Sequence, residues 1–348
     1  MMFRFISLLC VALFTTGSIS AQQDQTYAEK LGWPKNAKVV ILHVDDAGMS
    51  WSSNQGAIKS IENGVATSSS IMMTTPWAAS YAKYAIAHPQ MDAGLHLTLT
   101  SEWDNYRWVA LSGKKLAPGL TDKEGAMWES VEEVIAHATP EEVDAEIREQ
   151  LDRAVTLGLT PTHLDSHMGT LFASEAFLMK YIQLGIEKQI PVMFPGGNNK
   201  LLTAPVLEKL KAGGKWKEGM DMPAPYDRKK TMALGKMIWD AGLPVLDDLH
   251  TNSGDWNPEN AVAKSPEWSK FKTKKCMEAL KDMLPGLAMI IVHSSDISDV
   301  FQHISGSGGS RYADMMAMMD PELKAFIQKE GIILTTWREV MERRRKVK

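Results

Sequence analysis

Short apolar runs alternate with longer stretches of helical periodicity along most of the chain. Residues 38–44 form an apolar run that stops at Asp45-Asp46, which predicts a buried parallel strand carrying two carboxylates at its C-terminal end. A helix is predicted over 52–62, with Gly64 in the turn after it, then a strand over 68–73 and a helix over 77–87. Residues 93–100 alternate and predict a third strand, followed by a long Gly- and Pro-containing loop to about residue 125. Thr139-Pro140-Glu141-Glu142 opens a helix running to about residue 157: Thr caps it, Pro suits its first position and the acids suit its first turn. A brief strand end follows at 162–165, then a helix over 174–188 and a strand over 190–194. Helices are predicted over 205–212 and 228–240, with a candidate strand at 243–249 between them and a helix at 268–283. The clearest β run of the chain, 287–292, ends at His293. A helix over 321–330, a strand over 332–336 and a helix over 337–345 complete the pattern.

This alternation favours parallel strands joined by right-handed crossovers. The expected fold class is α/β, as a single irregular (β/α) barrel, with an open doubly wound sheet as the alternative. In either architecture the active groups belong at the C-terminal ends of the strands. The Gly- and Lys-rich segment 196–219 is a candidate surface insertion, and no linker divides the chain.

Composition narrows the class. The chain has 348 residues, 44% hydrophobic and 23% charged, with a net charge of -4, which is ordinary for a globular protein. Lys and Arg form no stripe beyond Arg343–Lys348, so nucleic acid is not an expected partner. Arg4, the apolar stretch 5–14 and the sequence Ile19-Ser20-Ala21 read as a secretory signal cleaved after Ala21. The expected organisation is a signal peptide at 1–21 and one catalytic domain at 22–348, in a secreted or periplasmic protein with no membrane span. Cleavage removes Cys10 and leaves Cys276 alone, which excludes an internal disulfide and a Cys-based zinc knuckle. Cys276 sits in helical periodicity and is expected as a small buried hydrophobe.

Polar residues repeatedly terminate the apolar runs. Asp45 and Asp46 end the first strand, His96 lies in the third, His163, Asp165 and His167 fall close together, and His293 ends the 287–292 run. Each has an ordinary alternative as a cap, a turn residue or a hydrogen-bonded core imidazole. Strand ends of a parallel barrel converge on one mouth, however, and carboxylates meeting imidazoles there suit a divalent metal. His88, His137 and His303 lie in polar surroundings and read as surface residues. His250, in Asp247-Asp248-Leu249-His250, reads as a solvated or supporting residue. The chain contains 11 Trp. Trp51, Trp77, Trp103 and Trp108 flank the motifs and could stack on a sugar ring; core packing is the expectation for all but Trp103, where the two readings balance.

The segments ILHVDDAGMS, GLHLTLTSEW, PTHLDSHMG and MIIVHSS, with TTWREV near the C-terminus, resemble the YdjC-type (ChbG-like) carbohydrate deacetylases, relatives of the NodB-like polysaccharide deacetylases. The resemblance spans residues 41 to 340 and implies a barrel of the glycoside hydrolase/deacetylase type. It further implies a metal triad of Asp46, His96 and His167, Asp45 as general base and His293 as general acid. His163 and Asp165 are placed near the site as orienting or substrate-contacting groups, with Arg107 as a partner of Asp45 or of substrate; Trp103, read from its own chemistry beside the motif, is a candidate supporting or substrate-contacting residue. The implied reaction is removal of N-acetyl groups from an amino sugar or oligosaccharide, with one divalent ion, Zn²⁺ or Mg²⁺ first and Mn²⁺, Ni²⁺ or Co²⁺ open. Gly169 stands where many members carry a further His, so a specific disaccharide substrate does not transfer. Rival readings are another metal-dependent ester hydrolase, a glycosidase pairing Asp45 with Asp247, and a non-catalytic sugar-binding protein. Whether the protein forms a homo-oligomer is left open.

Overall fold

The computed structural model describes residues 25–217, Met220, Met222 and 227–347; the signal sequence read at 1–21 lies outside them. Seven parallel strands form one sheet: β1 (Lys38–Ala47), β2 (Ser68–Ile71), β3 (Ala93–Leu97), β4 (Leu164–Ser166), β5 (Asp248–His250), β6 (Gly286–Val292) and β7 (Ile333–Leu334). Their order is β4-β3-β2-β1-β6-β5, and β7 pairs with the first part of β1. The sheet curls, and parallel bridges Leu164↔Val192 and Pro195↔Leu246 span the gap between β4 and β5. The result is an irregular α/β barrel, regular on one side and bridged on the other.

The expected strand over 190–194 is therefore only a bridge, and that over 243–249 shrinks to β5 at its C-terminal end. Pro191, Pro195 and Pro244 withhold the amide donors that a continuous ladder requires. Most predicted helices are present within a few residues, including Trp51–Glu62, Glu175–Lys188 and Arg228–Asp240. The helix Pro140–Thr156 starts with a complete capping box between Thr139 and Glu142. Beyond the single turns Tyr27–Lys30 and Gly113–Leu116, two helices were not anticipated, Val131–His137 and Gly308–Met318. The second proves central to the site.

Strand alternation explains how the barrel separates packing from chemistry. Val40, Leu42 and Val44 belong to the large core that includes the helices, while Val39 and Ile41 pack with Leu287, Met289 and Ile291 in a smaller cluster. The next residues on that second face of β1 are His43 and Asp45, so it changes from apolar to polar toward the C-terminal end. Burying the apolar floor contributes about 1.5–3 kcal/mol per large side chain before entropy is counted. The long loop after β3 is anchored by buried Glu146, whose carboxylate accepts from Leu111 N at 3.1 Å, Ser112 N at 2.8 Å and Ser112 Oγ at 2.7 Å. Gly56 lets the helix Trp51–Glu62 pack against the segment after β6: a Cβ there would lie 2.4 Å from Ser294 O and Ser295 Cα.

Candidate active site

Adjacent residues of a strand normally point to opposite faces, yet Asp45 and Asp46 reach the same cluster of imidazoles. Asp46 adopts φ +64°, and the β1–β2 register is irregular between Val44 and Ala47. This left-handed kink costs about 1–2 kcal/mol for a non-glycine residue and turns the second carboxylate back toward the first. Asp46 Oδ1 lies 3.2 Å from His96 Nε2 and 3.3 Å from His167 Nδ1. The two ring nitrogens are 3.2 Å apart.

Each imidazole is held from behind. β3 and β4 pair His96 with Asp165, and Asp165 Oδ1 sits 2.6 Å from His96 Nδ1. That contact holds a ring proton on Nδ1 and turns Nε2 toward Asp46. His167 follows β4 immediately, where Met168 (φ 51°) and Gly169 (φ 64°) turn the chain away. Its Nε2 lies 3.1 Å from each carboxylate oxygen of Glu102. Asp46 Oδ2 in turn accepts from Arg311 Nη1 at 2.6 Å. Burial is the largest influence on Asp46 and opposes its ionisation, but Arg311, His167 and His96 together hold its carboxyl well below the usual range. Burial likewise opposes charge on both imidazoles, yet the surrounding carboxylates pull His96 well above the ordinary histidine value and His167 up to about 9. Two nitrogens and a carboxylate oxygen in a negative setting are a donor set for a divalent cation. The three candidate ligand atoms lie within 4.8 Å of one another, and the buried Asp46 Oδ1 has no hydrogen-bond partner.

Asp45 stands beside this triad. His43 Nε2 is 3.1 Å from Asp45 Oδ1 and 3.1 Å from Asp165 Oδ2. Although burial opposes it, hydrogen bonding to these two acids raises His43 to about 9, making a cation between carboxylates. Asp45 Oδ2 is left facing inward, 3.8 Å from His96 Nε2 and 3.9 Å from His293 Nε2. The His293 side chain is 26% exposed, and its backbone N–H donates to Asp314 Oδ2 at 3.0 Å. Asp314 is paired with buried Lys272 at 2.9 Å, a second layer that fixes the start of the loop after β6. His163 lies in this buried network with its Nε2 3.5 Å from Asp165 Oδ2, and its ring stacks on Trp337 at 5.2 Å. It is too enclosed to meet a substrate, so of the two roles expected for it only the supporting one survives.

Several expectations are revised. Arg107 does not pair with Asp45: its guanidinium is taken by Asp122 at 2.7 Å, the Met127 carbonyl at 2.6 Å and Glu129 at 2.8 Å, which brace the loop after β3. The arginine on the site carboxylate is Arg311, distant in sequence. Asp247 accepts from the backbone N–H groups of Tyr27, Ala28 and Leu287, at 2.9, 3.0 and 2.8 Å, and so is a buried anchor, not the second acid of a glycosidase. His250 is buried against Trp256 at 4.7 Å, which removes the solvated one of its two expected readings. Trp103 is half-buried with the Arg311 guanidinium over its ring at 5.7 Å, and Trp108 is buried. Trp51 and Trp77, expected in the core, are exposed by 50% and 42%. Cys276 is buried as expected. Glu102, Arg311 and Asp314 were missed: the first is a loop acid without periodicity, and the others lie on the unanticipated helix Gly308–Met318.

A family model described as YdjC-like protein matches residues 39–329. A carbohydrate deacetylase of Thermus thermophilus is 36% identical over 305 residues, covering 88% of this chain and 94% of that protein. A carbohydrate deacetylase of Thermoanaerobacter pseudethanolicus is 23% identical over 301 residues, covering 86% and 98%. The match to a carbohydrate deacetylase of Brevibacillus brevis is 33% identical over 156 residues, 45% of this chain and 59% of the relative. Among solved structures, a protein of Enterococcus faecalis crystallised as a candidate cellobiose-phosphate cleavage protein shares the fold, with a TM-score of 0.65 at 20% identity over 86% of this chain and 98% of that one.

Proposed function

The chain belongs to the YdjC-like protein family, and from that membership we propose that it removes N-acetyl groups from an amino sugar or oligosaccharide, releasing acetate and a free amine. Full-length relatives named carbohydrate deacetylases support the activity. The observation that carries the chemistry is the meeting of a buried, unpartnered Asp46 Oδ1 with two imidazole nitrogens, each backed by a carboxylate. Asp46, His96 and His167 are the proposed ligands. A divalent cation held there would supply a Lewis acid for the acetyl oxygen and lower the pKa of water. Two imidazoles and one carboxylate favour Zn²⁺ over Mg²⁺, which prefers more oxygen ligands.

The remaining steps belong to the chain's own groups. Asp45 Oδ2 takes a proton from the attacking water, while His43 secures Oδ1 and keeps the carboxylate oriented. His293 Nε2, on the more open side, gives a proton to the departing nitrogen. Burial, its largest influence, disfavours the imidazolium; Asp46 and Asp45 oppose that and Arg311 adds to it, and the net effect is a lowered pKa. The proton that His293 delivers is the one Asp45 takes from water, since Asp45 Oδ2 lies 3.9 Å from His293 Nε2. Asp165 and Glu102 keep the ligating nitrogens aimed, and Arg311 holds the outer oxygen of Asp46 so that a single oxygen points inward. The signal read at 1–21 makes this an exported enzyme, which N-terminal sequencing of the mature protein tests.

The functional test is acetate release from a panel of N-acetylated mono- and oligosaccharides, beside O-acetylated sugars, with and without chelator. Release from the N-acetylated sugars, abolished by chelation and restored by Zn²⁺, is expected. Release only from the O-acetyl esters assigns an esterase instead, and chelator-insensitive release removes the metal from the mechanism.

A further inference from the structure

A cleft of about 410 Å³ has walls that include Trp51, Trp77, Val300 and Phe301. The two indoles are tilted by 55° with ring centroids 5.4 Å apart, and both are substantially exposed. Leaving two large apolar rings and Val300 in water forgoes burial that the rest of the fold exploits.

The cleft is built on the chain segments that follow Asp46 and His293. Trp51 lies five residues after Asp46, a path of at most about 18 Å. Trp77 N donates to Gly48 O at 3.1 Å, and Asn54 ties the same turn together by accepting from Gly48 N at 2.7 Å and donating to Trp77 O at 3.2 Å. The opposite wall continues from His293. Asp296 N donates to Ser52 O at 2.8 Å, and the hydroxyls of Ser52 and Ser298 meet at 3.1 Å. Both walls are therefore fixed by the segments that carry the proposed base and acid. The residues lining the cleft include three serines and no charged side chain. Aromatic faces with a hydroxyl rim match a ring that has apolar C–H faces and polar edges, and the absence of charge selects a neutral one.

We propose that the Trp51–Trp77 cleft is a subsite for a neutral pyranose unit of the oligosaccharide, beyond the unit being deacetylated. The proposal rests on the deacetylase reading and deepens it, because it makes the enzyme selective for oligomers over single sugars.

The test separates the two claims by using cellotriose, which carries no acetyl group, beside triacetylchitotriose. Calorimetric titration of the metal-replete full chain should show both trimers binding, with Trp51→Ala and Trp77→Ala each weakening both by about tenfold. Trp51→Phe, which keeps a ring, should recover part of the loss. In turnover, the trimer-to-monosaccharide ratio of kcat/KM should fall about tenfold in each alanine variant, mainly through KM. Absence of trimer binding by the wild type, or equal trimer affinity in the wild type and the double alanine variant, overturns the subsite. Tryptophan-dependent trimer binding without any acetate release upholds the subsite and overturns the deacetylase reading alone.

Discussion

Replacing Asp165 with Asn tests whether the proposed metal site depends on the layer behind its proposed ligands. Asp165 is fully enclosed and serves three imidazoles: Oδ1 is 2.6 Å from His96 Nδ1, and Oδ2 is 3.1 Å from His43 Nε2 and 3.5 Å from His163 Nε2. Burial opposes its charge, yet His96, His163 and His43 together hold it ionised, well below the usual carboxylate range. Asparagine keeps the shape but offers one acceptor and an NH₂ group that needs acceptors of its own. If the amide oxygen stays on His96, that NH₂ faces His43 and His163; if it turns, His96 loses the contact that fixes its tautomer. Loss of such a partner costs about 10–100-fold in metal affinity, about 1.4–2.8 kcal/mol. The metal-free fold loses charge-assisted hydrogen bonds as well, about 1.5–3 kcal/mol. Zn²⁺ affinity is measured by competition against a chromophoric chelator at neutral pH, with circular dichroism to verify folding. A folded Asp165→Asn variant that binds Zn²⁺ within about twofold of the wild type refutes the orienting role.

Asp45→Asn should retain the metal and lose about 10²–10⁴-fold in turnover, whereas His167→Ala should lose both; a near-native rate for Asp45→Asn removes Asp45 from the base role. His250 supplies a pH signature, because burial lowers its folded pKa to about 4 against an ordinary 6.5. The unfolded chain then binds the extra proton between those values, so stability falls as pH drops from about 6.5 to about 4, by about 3 kcal/mol in all. His250→Phe should flatten that part of the stability curve, and an unchanged slope in denaturant titrations counts against the assignment. Gly56→Ala should destabilise by about 1–3 kcal/mol, since its Cβ meets the backbone of Ser294 and Ser295 at 2.4 Å; a melting temperature equal to wild type contradicts the close approach.

The convergence of the candidate site residues was legible wherever polar residues interrupted apolar runs. Asp45, Asp46, His96 and His293 stood out because a strand interior should not carry them, and parallel topology implies that such residues share one end. The capping pattern at Thr139 likewise set a helix start correctly. What escaped is non-local. The Gly-Ser-rich stretch before Arg311 reads as loop, but packing carries it into the helix Gly308–Met318, which delivers Arg311 to Asp46 and Asp314 to His293. Arg107 misled because nearness in sequence to a motif is not nearness to the site; its own loop supplies closer acids. Trp51 and Trp77 carry no sign of exposure, since helix periodicity fixes a face but not what covers it.

Crystals soaked in Zn²⁺ and measured at the zinc absorption edge test the central claim most directly. The account predicts one strong anomalous peak between Asp46 Oδ1, His96 Nε2 and His167 Nδ1. A peak instead among His43, His163 and Asp165, or no peak at any imidazole, contradicts it.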